Sequence, residues 1–143
     1  MQHLIIKDLD SLEEMEAAYP LVSQFYSEMS FEVYKACLQE MIKGNSYKMV
    51  AAILGDKMVG ISGYWVFLML YCGRYLQASN LVVDKEYRSL GVGKKILNYL
   101  EKKARDLDCE KMVLDSYVEN KRSHPLYFRE GFYIRGFHYM KDL

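Results

Sequence analysis

ASNLVVDKEYRSLGVGKKILNYL, residues 78–100, is the stretch whose reading decides the fold. It opens on a β-rich apolar run, residues 80–83, and passes through a turn of acidic and basic residues, 84–88. It then reaches Gly91-Val92-Gly93 at the head of a segment with helical apolar spacing. The pattern predicts a strand, a glycine turn and a helix N-terminus. Two glycines one residue apart let the backbone turn sharply and leave amide N–H groups uncovered by a Cβ. The helix dipole adds partial positive charge at the same point, so the expected ligand is an anion, above all a phosphate.

Two familiar phosphate loops are excluded. A Walker loop aligned on Gly93-Lys94 finds Arg88 where its first glycine belongs and Lys95 where Ser or Thr should follow. A dinucleotide loop starting at Gly91 finds Ile96 in place of its third glycine. What remains is Arg-x-x-Gly-x-Gly, residues 88–93, directly after an apolar strand.

In that element the chain resembles the GNAT superfamily of N-acetyltransferases, whose acyl-CoA site carries Gln/Arg-x-x-Gly-x-Gly/Ala at a strand-to-helix turn. A second match lies downstream. Asn120 is followed by Leu126-Tyr127-Phe128-Arg129-Glu130-Gly131-Phe132, similar to the family's Asn and a Tyr four residues before a Gly-Phe pair. The motifs span residues 79–132, and the order of elements extends the resemblance over the chain.

The 143 residues predict one domain, 1–143, with one substantial core. Prolines stand only at 20 and 125, and no Ser/Gly tract or block of like charge marks a linker. Nineteen basic residues balance nineteen acidic ones, so no global field attracts nucleic acid or anionic lipid. The longest apolar run, residues 64–72, is far short of the roughly 20 residues of a membrane helix, and the N-terminus lacks a signal-peptide pattern. Cys37, Cys72 and Cys109 are odd in number and lack ligand spacing, which fits reduced thiols in a cytoplasmic protein. His3, His124 and His138 have no metal partner at ligand spacing, so no metal is expected.

Along the chain, residues 3–9 read as a strand, and Asp10 or Ser11 caps a helix with Leu12, Met15, Tyr19, Val22 and Phe25 inward, kinked or divided at Pro20. Ser30 caps a second helix that carries Tyr34, Leu38, Met41 and Ile42 and stops at Gly44. Residues 47–54 and 57–70 form a hairpin around Gly55-Asp56, and Cys72-Gly73-Arg74 turns the chain into the strand ending at Val83. After the glycine turn, Val92, Ile96, Leu100, Ala104 and Leu107 make a helical stripe. Residues 111–117 form a strand, 122–129 a short helix, and 132–134 with 137–140 two final strands. The fold class is α/β, a GNAT-type mixed, mostly antiparallel sheet with a central parallel strand pair flanked by helices. Residues 64–71, YWVFLMLY, are apolar on both alternating faces and should be covered on both, by a helix, an acceptor pocket or a homodimer partner.

The resemblance implies the chemistry. Acetyl-CoA is the co-substrate and an amine the acceptor. Backbone N–H groups of Arg88, Ser89, Leu90, Gly91, Val92, Gly93 and Lys94 hold the pyrophosphate, with charge from Lys94 and Lys95. The edge of Leu81, Val82 and Val83 pairs with the pantetheine amides where the two parallel strands splay apart, and Asn120 binds the cofactor. Tyr127 is the general acid for the departing thiolate. Many members carry acidic residues two and one positions before that Leu, where this chain has Ser79 and Asn80, and neither takes a proton at neutral pH. Asp115 is the remaining carboxylate with a plausible location for the base, ahead of Glu130. A non-catalytic acyl-CoA-binding or regulatory domain is the rival reading, since it would need neither acid nor base.

Overall fold

The computed structural model of the chain describes residues 3–143. In order, its elements are β1 (Leu4–Leu9), α1 (Leu12–Glu16), α2 (Tyr19–Phe25), α3 (Phe31–Asn45), β2 (Lys48–Leu54), β3 (Lys57–Met69) and β4 (Gly73–Val83). A 3₁₀ turn (Lys85–Tyr87), α4 (Val92–Asp106), β5 (Lys111–Leu114) and α5 (His124–Arg129) follow. The strands form one sheet in the order β1-β2-β3-β4-β5, antiparallel throughout except for the parallel pair β4 and β5, which α4 connects. This is the mixed, mostly antiparallel α/β arrangement that the sequence predicts.

Local chemistry sets the helix ends. The Ser11 hydroxyl accepts the Glu14 N–H at 3.1 Å while the Glu14 carboxylate accepts the Asp10 N–H at 3.2 Å, a reciprocal cap on α1. Pro20 stands in the first turn of α2, where its missing N–H costs nothing, and divides the helical segment in two. Ser30 caps α3 through the Val33 N–H at 3.2 Å. The sequence predicts a stop at Gly44, but α3 runs on to Asn45. It ends where Ser46 turns left-handed (φ 57°) and the Tyr47 N–H reaches back to the Met41 carbonyl.

Helices α1 to α3 cover one face of the sheet and bury Leu21, Val22, Leu38, Met49, Ile61 and Val82; α4 covers the other with Ile96 and Leu100 against Val50, Val59 and Leu76. Each such side chain contributes about 1.5–3 kcal/mol of burial free energy. Leu107, read as part of the α4 stripe, lies past the end of the helix and is exposed.

Asp84 fixes the exit from β4. Its backbone N–H donates to the Val59 carbonyl at 2.9 Å, its side chain accepts the Glu86 N–H at 3.0 Å, and Lys57 Nζ stands 3.6 Å away. The Glu86 N–H foremost, then the Lys57 charge, hold its carboxyl below the usual range against the opposing effect of burial. A folded-state pKa below the unfolded one means the stabilisation is present above the unfolded value, about 3.9, and is lost as pH falls through the folded one. Asp84→Ala therefore lowers stability by about 1 kcal/mol at neutral pH through the lost cap, with a smaller penalty in acid; denaturant melts at the two pH values check it.

Two strand expectations are corrected. Residues 132–134 and 137–140 form no strands: the ladder stops at β5, and Ile134 and Phe137 are 73% and 80% exposed. A period-2 pattern makes a strand only when a neighbouring edge takes its hydrogen bonds, and a lone two-stranded ribbon is marginal. β5 ends at Leu114 instead of 117, because β4 bulges after Ala78 and offers no further partner. Within one chain, residues 64–71 are fully covered at Tyr64 alone. The β3–β4 hairpin runs beyond the helices, leaving Leu68 70% and Tyr71 72% exposed.

Candidate functional site

The site starts from an irregularity in β4. Ile61 pairs with Val82 and Gly63 with Ser79, so one β3 residue faces two on β4, Asn80 and Leu81. Asn80 takes a left-handed conformation (φ 58°), which Asn tolerates better than most residues. Pairing with β5 stops just before, at Ala78 and Leu114. Beyond that point the parallel strands have no mutual ladder among the described residues, which leaves a gap in the pairing beside the β4 edge at Leu81, Val82 and Val83.

At the foot of the gap the chain passes the 3₁₀ turn and curls. Arg88 Nε donates to the Val83 carbonyl at 3.3 Å, and Ser89 and Gly91 have φ of 65° and 82°. Gly91 caps α4 with no side chain, so the first-turn N–H groups of Val92, Gly93 and Lys94 keep no side-chain acceptor. Cations surround this turn: Arg122 Nη2 donates to Ser89 Oγ at 3.1 Å, and Lys94 Nζ lies 4.0 Å from Glu130. Leu90 and Lys95 are exposed beside it. Arg122 escaped sequence reasoning, because nothing in its neighbourhood signals a contact 33 residues upstream.

Helix α5 docks on the same helix end. Leu126 Cδ2 would lie only 3.1 Å from a Cβ at Gly93, so the two helices meet there without an intervening side chain. The following residue, Tyr127, is partly buried and edge-on to Phe132, with ring centroids 6.1 Å apart. Burial raises its pKa, with Ser123 opposing weakly. Asn120 sits in the turn before α5, where the Ser123 N–H donates to its carbonyl at 3.2 Å, and His124 Nε2 lies 3.0 Å from the Tyr117 carbonyl. Asp115, one residue past β5, is exposed; Gln77 Nε2 donates to it at 3.1 Å and His138 Nδ1 stands at 3.6 Å. Glu130 turns instead to Lys94, away from the acceptor side.

On the opposite side of the gap, Asn80 is a hydrogen-bond hub. Its Nδ2 donates to Tyr26 Oη at 2.9 Å, and its Oδ1 accepts from Tyr47 and Ser79 hydroxyls, each at 3.1 Å. Gly63 makes the hub possible: a Cβ there would fall on the Tyr47 ring. Phe25 and Tyr117 stack across the opening, 6.2 Å apart and nearly parallel, and residues 25–30 with Val33 line a cleft of about 490 Å³. Tyr26 and Tyr47 carried no sequence signal. Asn80 was legible only as a carboxylate that is missing.

The arrangement combines uncapped amides at a helix N-terminus, an unpaired strand edge, a partly buried phenol and a cleft lined in part by apolar residues. Comparison with known proteins agrees with it. The family described as Acetyltransferase (GNAT) family matches residues 9–132. The uncharacterized N-acetyltransferase YhdJ of Bacillus subtilis is 28% identical over 139 residues, 96% of this chain and 98% of that protein. Glucosamine 6-phosphate N-acetyltransferase of Arabidopsis thaliana is 36% identical over 50 residues, 35% of this chain and 34% of its own. The crystal structure of an aminoglycoside N-acetyltransferase in complex with CoA superposes with a TM-score of 0.78 at 18% identity, covering all of this chain and 97% of that one. With the motif turn, the phenol helix and the family match in one place, the chain belongs to the GNAT family of acetyltransferases.

Proposed function

We propose that the protein transfers the acetyl group of acetyl-CoA to a primary amine of a small molecule or peptide by direct attack on the thioester. The observation that carries this reading is the uncapped left-handed turn at Gly91 beside the open edge of β4. Amide N–H groups at a helix start suit a pyrophosphate, Arg88, Lys94 and Arg122 add charge, and the strand edge suits the two amides of a pantetheine arm. Relatives named for glucosamine 6-phosphate and aminoglycoside acceptors support an amine.

In this reading the cofactor contacts come from Leu81, Val82, Val83, from residues 88–94, and from Asn120. The amine lone pair forms the C–N bond and the C–S bond breaks with its electron pair left on sulfur. Tyr127 gives that sulfur its proton. The proton that leaves nitrogen passes through water to Asp115, and Asp115 then returns that same proton through water to the Tyr127 phenolate, so both groups end the cycle as they began it. Thiol release from acetyl-CoA over a panel of amines tests the reading. The expected result is amine-dependent release of CoA, lowered in kcat by Asp115→Asn. The non-catalytic reading, favoured by Ser79 and Asn80 in place of acids, predicts binding of acetyl-CoA with no amine-dependent release.

Two further parts belong to this reading. The three cysteines are free thiols, which supports a reducing, cytoplasmic setting. The exposed apolar tip of the β3–β4 hairpin, Leu68, Leu70 and Tyr71, supports a homodimer that covers it. Light scattering is expected to give twice the chain mass, and a monomer at high concentration would remove the dimer.

A further inference from the structure

The side chains hydrogen-bonded to Asn80 carry no charge. Asn80 spends both oxygen lone pairs on Tyr47 and Ser79 and one N–H on Tyr26. Among the described residues no side chain accepts the Tyr26 hydroxyl proton, so that hydroxyl can both donate to and accept from a ligand in the cleft it lines. Around this hub stand, from α2 and the loop after it, Tyr26 and Glu28; from the start of β2, Tyr47; and from β3, the Trp65 indole, whose buried Nε1–H has no partner. From β4 come Ser79 and Gln77, from beyond β5 Asp115 and Tyr117, and from the C-terminal segment His138 on Asp115.

Neither carboxylate belongs to the hub. Glu28 lines the cleft but is exposed and makes no hydrogen bond to the hub, and Asp115 is exposed and engaged by Gln77 and His138. The titratable hydroxyls are poor bases in their own right, and burial raises the pKa of both Tyr26 and Tyr47. An ammonium ion held at the part-buried Tyr26 hydroxyl would give up water for neutral partners with no counter-charge in contact with the nitrogen, which is unfavourable. A free amine loses far less, and it alone has the lone pair that attack requires.

We propose that the Tyr26–Asn80 hub takes the acceptor as its free base, Tyr26 holding the amine nitrogen and Asn80 positioning Tyr26, so that the protein selects amines of low basicity. The class includes peptide α-amino groups and arylamines and excludes alkylamines of the lysine type. The inference rests on the acyl-transfer reading above and adds the acceptor class to it. In the step itself the neutral nitrogen attacks, the C–S bond breaks, Tyr127 protonates the sulfur, and the surplus proton on nitrogen leaves only after attack, to water and Asp115. No group of the protein deprotonates the amine beforehand. An α-amino group with a pKa of about 7.7–8.0 and an alkylamine at about 10.4 differ by more than 10²-fold in free base at neutral pH, and kcat/KM should follow that difference.

The test is the pH profile of kcat/KM for CoA release with three acceptors of similar size: a short peptide with a free α-amino group, a substituted aniline and an alkylamine. The expected result is an acid limb that moves with the acceptor's own pKa and a penalty of about 10²-fold for the alkylamine at pH 7. Whichever of peptide and aniline reacts better identifies the source. Asn80→Asp, which keeps the left-handed position available and puts a carboxylate at the hub, should move the acid limb to lower pH, make it independent of the acceptor, and raise alkylamine turnover about tenfold or more. Tyr26→Phe should raise KM for the amine with acetyl-CoA binding unchanged. An acid limb fixed at one pH for all three acceptors in the wild type, or an alkylamine preferred over both weaker bases, overturns the proposal while leaving acetyl transfer standing. Release of CoA by no amine at all overturns the acetyl-transfer reading instead, and this inference with it.

Discussion

Tyr127→Phe lowers kcat about 10²–10⁴-fold and leaves the affinity for acetyl-CoA nearly unchanged, because a proton given to the leaving sulfur is an interaction made only in the transition state. The substitution removes one oxygen. The edge-on packing against Phe132 and the backbone bond from the Phe132 N–H to the Tyr127 carbonyl at 3.0 Å remain, so the fold should stay intact. Burial raises the pKa of the phenol, which keeps it protonated, and therefore a competent acid, throughout the neutral range. The wild-type rate should fall on the alkaline side as the phenol ionises, and the variant should lack that limb. Steady-state kinetics across pH, with calorimetric titration of acetyl-CoA, separates the two terms. Equal losses in kcat and in cofactor affinity would make Tyr127 a binding residue instead.

Gly91→Val should weaken acetyl-CoA binding by about 10–10²-fold, the equivalent of one charge-assisted hydrogen bond from the helix start. No atom lies within 4 Å of where a Cβ would stand at Gly91, so the new side chain meets open space and the core is untouched. The difficulty is the backbone. At φ 82° a β-branched residue is a genuine outlier, with a cost of about 1–2 kcal/mol that the loop sheds by changing its conformation. The amides that head α4 then point elsewhere, and the valine methyl groups occupy the approach of the phosphate. Gly44→Ala in the last turn of α3 is a matched control, since that position is helical, open and remote; it should leave cofactor binding unchanged.

Most of what positions the site is local, and that part could be read from residues. The run 78–100 predicts its strand, turn and helix because an apolar β-branched tract, two glycines and an amphipathic stripe each act over a few neighbours. Ser11 and Ser30 announce the helix starts for the same reason. What could not be read depends on partners distant in sequence. Tyr26 meets Asn80 across 54 residues, and the meeting requires both a bulge in β4 and a missing side chain at Gly63. Residues 132–140 alternate as strands do, yet their hydrogen bonds need an edge that local sequence cannot supply. The end of β5 depends on the same thing, since Asp115 to Tyr117 follow Leu114 where the neighbouring strand no longer pairs.

The most direct measurement for the central claim is the melting temperature of the wild-type protein with and without acetyl-CoA. A ligand bound only by the native state adds RT ln(1 + [L]/Kd), about 2.7 kcal/mol at a hundredfold excess over Kd, which is a shift of several degrees for a chain of this size. The account predicts that shift in the wild type, retained in Gly44→Ala and reduced in Gly91→Val. A wild-type melting temperature unmoved by saturating acetyl-CoA would contradict it.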